Sequence, residues 1–386
     1  MTSPAPTDGS APDEPTPATE RPKRQEQEEA SEEVTEVAPG VLRMQLPIMM
    51  PGLGHVNCYA LEDERGYTLV DPGLPGPDSF AALESRLAQA GARVQDVHTV
   101  FVTHSHPDHF GGAGRLRLAV GADVVAHRDF RTIFDPADDD SVELIDAHVP
   151  VTEPDGLNPI RFAEYLLEDI DIPDMPGRTS PWGGVIPFPP KEELLRMRAW
   201  DRETKEGFLS PQPTIRIDDA QVVRLARREW LAVHTPGHTG DHLCLFDPVE
   251  GILLSGDHVL PTITPHISGL ATGEDNLADF FAALEKVSEL EGVRHVLPAH
   301  GHPFTDVSAR AKDIRRHHEE RLAHLRDLTI EHGEADVITL SHELFHPRSW
   351  GSMAESETFA HLEHLRHRGE VSSRQAEGLL WYRIAS

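Results

Sequence analysis

The stretch Thr103-His104-Ser105-His106-Pro107-Asp108-His109 constrains this chain most, because it crowds metal-competent side chains at a spacing that only a fixed loop can use. Ahead of it, Val97-His98-Thr99-Val100-Phe101-Val102 is a short apolar, β-branched run with the character of a buried strand. Behind it, Gly111-Gly112-Ala113-Gly114 opens a helical pattern. The motif therefore belongs on a loop between strand and helix, where a rigid scaffold can aim its side chains. His104 and His106 then point one way, and Asp108 and His109 follow in the next turn toward a neighbouring site.

Three later apolar runs end in a similar manner. Leu231-Ala232-Val233 leads into His234-Thr235-Pro236-Gly237-His238, Ile252-Leu253-Leu254 into Ser255-Gly256-Asp257, and Val293 to Leu297 into Pro298-Ala299-His300. Neutral imidazoles and carboxylates suit zinc, and a catalytic zinc keeps three protein ligands and an open position. His104, His106 and His238 would meet that requirement; Asp108, His109 and His300 would make a second site, with Asp257 bridging the two. Two such ions can share a hydroxide and polarise a scissile oxygen, which is chemistry for hydrolysis. Asp108 is the candidate catalytic residue, as a ligand that also carries a proton near the leaving group. With 24 histidines in the chain, a lone histidine says little. His242, His258 and His302 adjoin the motif residues and are candidates for supporting hydrogen bonds to ligands or substrate, while His266, in the loop after Asp257, is a candidate only for facing the cleft.

The remaining chain sorts around these runs. Residues 1–38 are rich in Pro, Thr, Ser and Glu and poor in aromatics, the composition of a disordered acidic tail. A catalytic domain is expected over 39–307, beginning with a strand and a β-hairpin that closes at Asp71-Pro72-Gly73. Asp78 is the expected N-cap, and Gly91 the stop, of a helix carrying Phe80, Leu83 and Leu87. Over 128–213 the alternation breaks into acid-rich and Pro/Trp-rich sequence, read as an inserted cap. Its Phe162, Tyr165, Trp182, Phe188, Met197 and Trp200 are candidates for an apolar acyl pocket. Residues 308–386 read as three helices, the third opened by a Ser352–Glu355 capping box, then a hairpin: a small winged-helix-like domain. Strands alternating with helices give an α/β fold.

Composition limits the partners. A net charge of −30 opposes a broad grip on phosphates. The basic residues Arg315, Arg316, Arg321 and Arg326 stand beside acids such as Glu319 and Glu320, as in exposed ion pairs. No run approaches the roughly 18–20 apolar residues that cross a bilayer, and no apolar leader precedes the domain, so a cytoplasmic protein without a membrane partner is expected. Cys58 and Cys244 lie in strand-like runs and read as core residues.

His104-Ser105-His106-Pro107-Asp108-His109 resembles the HxHxDH signature of the metallo-β-lactamase superfamily, with His238, Asp257 and His300 standing where that family places its other ligands. The likeness covers about 40–302 apart from the insertion. It implies an αβ/βα sandwich with two metal ions, zinc first and iron or manganese as alternatives, at one edge of two facing sheets. A bridging Asp257 is closest to glyoxalase-II-like hydrolases, which implies ester or thioester hydrolysis of a small acyl substrate such as an acyl-CoA or a hydroxyacyl-glutathione. The segment from Glu357 to Val371 is similar to the tail of a lactamase-like endoribonuclease branch, which makes RNA the alternative substrate. A lactonase, and a metal-bearing regulator that binds DNA, are further alternatives; a homodimer is compatible with any of them.

Overall fold

The computed structural model describes residues 24–50, 52–132, 177–186, 195, 211–271 and 273–385. In chain order come β1 (Thr35–Ala38), β2 (Val41–Met50), β3 (Leu53–Asp63), β4 (Gly66–Val70), α1 (Pro77–Gln89), β5 (Val97–Phe101), α2 (Pro107–Phe110), α3 (Ala113–Val120) and β6 (Asp123–His127). A two-stranded ribbon, β7 (Arg178–Thr179) and β8 (Val185–Ile186), precedes β9 (Ile215–Ile217). These strands other than the ribbon form one sheet in the order β1-β2-β3-β4-β5-β6-β9, antiparallel up to β4 and parallel from there on.

The second sheet holds β10 (Val222–Leu225), β11 (Arg228–His234), β12 (Leu243–Asp247), β13 (Ile252–Gly256) and β14 (His295–Pro298), in that order, with α4 (Asn276–Ser288) between the last two in sequence. Successive strand residues point to opposite faces, and the packing follows that period. Phe101, Val70, Leu254 and Leu245 share one buried cluster with Trp230 and Tyr59, between the sheets. Their neighbours Val100 and Leu69 join α1 and α3 on one outer face, and Leu253 and Cys244 join α4 on the other. The result is the expected αβ/βα sandwich. Both cysteines are free and buried.

Order begins earlier than the composition implied. Glu26 is fully buried and accepts hydrogen bonds from Thr262 N (2.8 Å) and Ile263 N (3.1 Å), and β1 pairs with β2, so residues 24–38 are docked on the core. Two caps also differ from expectation. Gly76, with φ 123°, is the N-cap of α1, and Pro77 rather than Asp78 follows it, since proline is preset for the first helical position.

Beyond the second sheet lie α5 (Val307–His332), β15 (Ala335–Asp336), α6 (Val337–Leu344), α7 (Ser352–His367), β16 (Val371–Ala376) and β17 (Leu379–Ile384). Gly351 caps α7, so the Ser352–Glu355 capping box does not form. The three strands pair in the order β15-β17-β16. Leu322, Leu325, Leu362 and Leu365 from these helices enter the same apolar cluster as α4, so the segment is packed onto the outer face of the second sheet.

Most of the expected insertion, including Phe162, Tyr165, Phe188, Met197 and Trp200, lies outside the described residues. Trp182 does not line an acyl pocket: it is buried, its indole N–H donates to Glu355 Oε2 (2.9 Å), and its ring meets Phe359 at 5.3 Å. The ring is consumed in fastening 180–184 to α7. Among the described residues no helix is long and apolar enough to cross a membrane.

Candidate metal centre

Strand direction explains why distant motifs meet. β4, β5 and β6 run parallel, and β11 has the same direction as β13 and β14, so their C-terminal loops open on one edge of the sandwich. Four of those strands deliver the expected residues: β5 leads to His104 and His106, β11 to His238, β13 to Asp257 and β14 to His300. Asp108 and His109 sit on α2, a single turn started by Pro107.

All seven come together in two groups: His104, His106, His238 and Asp257 in one, Asp108, His109 and His300 in the other. Each group has its candidate ligand atoms within 4.8 Å of one another. Asp257 faces both. Its Oδ2 lies 3.5 Å from His238 Nε2 and 3.9 Å from His104 Nε2, while its Oδ1 lies 3.2 Å from His300 Nε2. Asp108 Oδ2 stands 3.4 Å from both His109 Nε2 and His300 Nε2. His106 is the half-buried member; the other six are buried.

The outward hydrogen bonds fix the tautomers. His109 Nδ1 donates to Asp71 Oδ2 (2.9 Å), His238 Nδ1 to the His266 carbonyl (2.7 Å) and His300 Nδ1 to the His55 carbonyl (2.7 Å). Thr103 Oγ1 donates to Asp71, so it accepts from His104 Nδ1 (3.0 Å). A neutral imidazole carries one N–H, so each of these rings, in the neutral form that a metal ligand takes, turns a bare Nε2 inward. His106 Nδ1 then lies 3.0 Å from both His104 Nε2 and His238 Nε2. Three nitrogens converge with too few protons between them, which a cation resolves. His109 Nε2, His300 Nε2 and Asp257 Oδ1 are buried without a hydrogen-bond partner, as atoms that await a ligand would be.

In the metal-free cluster the carboxylates draw protons onto two of these rings. Burial would lower His300, but Asp257 and Asp108 outweigh it and push its pKa up to about 10; burial likewise opposes, and Asp108, Asp257 and Asp71 overcome, a rise at His109. Burial would raise Asp257, yet His300 and His109 hold it well below the carboxylate range. His106, dominated by burial, is lowered to about 3. Without metal, protons on His109 and His300 neutralise the carboxylates.

Several supporting residues were not singled out from the sequence. Asp71 anchors His109 and Thr103. Asp241, beside His242, accepts from Ser105 Oγ (3.0 Å) and so ties the first loop to the second sheet. Asn57 donates to the carbonyls of Pro298 and Gly301, which clamps the His300 loop against β3. Asp71 had a visible signal, an Asp-Pro-Gly at the end of a strand on the same edge; Asp241 and Asn57 had none. Of the adjoining histidines, His242 accepts from Asp257 N (3.0 Å); His266, in the loop after Asp257, touches Glu357 Oε2 (3.3 Å). His302 pairs with Glu28 away from the centre, and His258 is buried beside Phe280.

A third group, His318, Glu357 and His361, also has close ligand atoms. One proton is shared by His318 Nδ1 and His361 Nε2 at 3.0 Å, and Glu357 is already the counterion of Arg321 and a partner of His266; among the described residues His318 Nε2 is buried without a hydrogen-bond partner. Arg326 pairs with Glu370, so Arg321 and Arg326 brace the C-terminal segment, whereas Arg315 and Arg316 form the expected pairs along α5.

Comparison with known proteins gives a consistent picture. Residues 51–331 match the family model described as the metallo-beta-lactamase superfamily. A probable metallo-hydrolase of Bacillus subtilis, YqjP, is 25% identical over 286 residues, covering 70% of this chain and 77% of that protein. A hydroxyacylglutathione hydrolase of Albidiferax ferrireducens is 42% identical over 81 residues, 21% of this chain and 28% of that protein. The crystal structure of the metallo-beta-lactamase family protein TTHA1429 from Thermus thermophilus superposes with a TM-score of 0.67 at 28% identity, covering 90% of this chain and all of that one.

Proposed function

Since the chain belongs to the metallo-beta-lactamase superfamily, we propose that it is a dinuclear, zinc-dependent hydrolase of ester or thioester carbonyls, with a small acyl thioester as its substrate. The observation that carries the reading is the convergence of His104 Nε2, His106 Nδ1 and His238 Nε2 at 3.0 Å separations, next to a carboxylate whose two oxygens face two histidine groups. His104, His106 and His238 would hold one ion, Asp108, His109 and His300 the other, and Asp257 both. Two divalent ions, when bound, supply Lewis acidity to the scissile carbonyl and lower the pKa of water toward about 7.

The chain's own groups do the rest. Asp71, Thr103 and the His55 and His266 carbonyls hold the imidazoles in one tautomer and orientation. Asp108, buried and held as a carboxylate by His109 and His300 against the effect of burial, takes up and returns a proton at the leaving sulfur or oxygen. Half-buried His106 marks the open side from which substrate enters. The match to a hydroxyacylglutathione hydrolase supports an acyl group on a thiol. We also read 308–386 as winged-helix-like; its α7 turns Glu357, His361, Leu362 and Leu365 inward, which favours a bracing role over nucleic-acid recognition.

The test is thiol release from a panel of acyl-CoA and acyl-glutathione thioesters by zinc-loaded protein, with His106→Ala as the blank. Release that disappears in the variant is expected. Undiminished hydrolysis by the variant after chelation would overturn the proposal.

A further inference from the structure

The loop after Asp257, helix α5 and Arg24 line a half-open surface hollow of about 430 Å³. Its wall carries four arginines, Arg24, Arg310, Arg316 and Arg321, against two carboxylates, Asp313 and Glu320. Both acids are engaged by Arg316, at 2.8 and 3.9 Å, and Arg321 is held by Glu357. Arg24 and Arg310 have no ion pair among the described residues. Arg310 is half-buried; its Nε and Nη2 donate to the carbonyls of Leu260 (2.7 Å) and Ile263 (2.6 Å), which fixes the guanidinium and leaves Nη1 uncommitted among the described residues. Asp313 and Glu26 offset part of its charge from a distance, and its planar fork, through that Nη1, suits phosphate and carboxylate oxygens.

The location connects this hollow to the metal centre. Thr262, Ile263 and Thr264 form its wall, on the loop that leaves the centre at Asp257 and returns at His266, whose carbonyl holds His238. Arg321 reaches the same point from the other side through Glu357 and His266. The geometry points to an anion subsite: the hollow takes the phosphate or carboxylate end of the substrate's leaving thiol while the acyl carbonyl lies at the metals. This rests on the acyl-transfer reading above and adds the class of leaving group. Nucleic acid is the poorer occupant. A phosphodiester chain needs a basic track, whereas the neighbouring Arg315 and Arg326 are neutralised by Glu319 and Glu370.

Binding to the metal-loaded full chain, measured by calorimetry, tests the subsite with thiol-free probes: desulfo-coenzyme A for the phosphate source, ophthalmate for the carboxylate source, and a short single-stranded RNA. One small probe is expected to bind, and Arg310→Gln to weaken it by roughly ten- to hundredfold. Arg24→Glu, whose side chain makes no bond among the described residues, should weaken it too and covers the case in which Arg310→Gln disturbs the loop. Equal binding by wild type and both variants overturns the subsite, as does RNA binding that both variants lose while neither small probe binds. No probe needs to be hydrolysed. Probe binding with an inert thioester panel would remove the proposed reaction and leave the subsite standing; thioester hydrolysis without probe binding would do the reverse.

Discussion

Asp71 Oδ2 accepts a hydrogen bond from His109 Nδ1 at 2.9 Å and another from Thr103 Oγ1 at 2.8 Å, while its Oδ1 takes the Thr103 N–H at 2.9 Å. One buried carboxylate thus orients residues on both sides of the His104–His106 loop. Its backbone sits at φ 53°, a left-handed conformation that costs a residue with a Cβ about 1–2 kcal/mol. Strain of this kind persists where surrounding structure over-determines it, as at functional sites.

Asp71→Asn keeps the shape and removes the charge. Metal affinity should fall roughly 10–100-fold with far-ultraviolet dichroism unchanged. Competition against a chromophoric chelator measures it, and an unaltered affinity would take Asp71 out of the centre.

Metal loading should release protons. The folded pKa of His300 is raised from 6.5 to about 10, and that of His109 is raised as well, so both carry protons at neutral pH when metal is absent. Their charge therefore stabilises the metal-free fold fully below about pH 6.5 and fades as pH rises toward about 10. Roughly two protons per filled pair of sites should appear in weakly buffered titrations at neutral pH, with affinity growing as pH increases. Loading without proton release would show that the two histidines are neutral before metal arrives.

Glu357→Gln should destabilise the chain by roughly 1.5–3 kcal/mol at neutral pH, because it removes the charged partner of Arg321 and His266. Burial would raise the Glu357 pKa, but Arg321 and His266 hold it below its ordinary value of 4.5. The stabilisation is therefore full above about pH 4.5 and shrinks as pH falls below that value. Denaturant midpoints of wild type and variant that stay equally far apart well into acid would contradict this account.

Gly256 lies at φ 50°, and a Cβ there would meet His242 Nε2 at 2.5 Å, the atom that accepts from Asp257 N. Gly256→Ala should displace Asp257, and metal retained after gel filtration should drop below the wild-type content. Full retention would mean that Asp257 tolerates the shift and contributes little to holding metal.

Much of the centre could be read from residue order, because a strand that ends in a His or Asp at a tight turn fixes where that side chain is delivered. His104 to His109, His238, Asp257 and His300 are all such positions, and the structure brings them together. What could not be read depends on contacts between distant segments. Nothing in the local pattern shows that Asn57 clamps the His300 loop or that Glu26 docks residues 24–38 under Thr262. Local rules also overreached: Ser352-Met353-Ala354-Glu355 has the capping-box pattern, yet Gly351 takes the cap, and Trp182 looked like a pocket residue until its indole was found on Glu355.

The split of the centre between the two sheets carries a consequence for assembly. His104, His106, Asp108 and His109 come from the first half of the chain, and His238, Asp257 and His300 from the second, so neither half holds a complete set by itself. A metal ion held by residues of both halves would bind with full affinity only after the sheets had docked, and it would then tie the halves together across the open edge. Occupancy would serve the cell as a certificate of finished folding, and scarcity of metal would be felt first as a loosening between the two sheets.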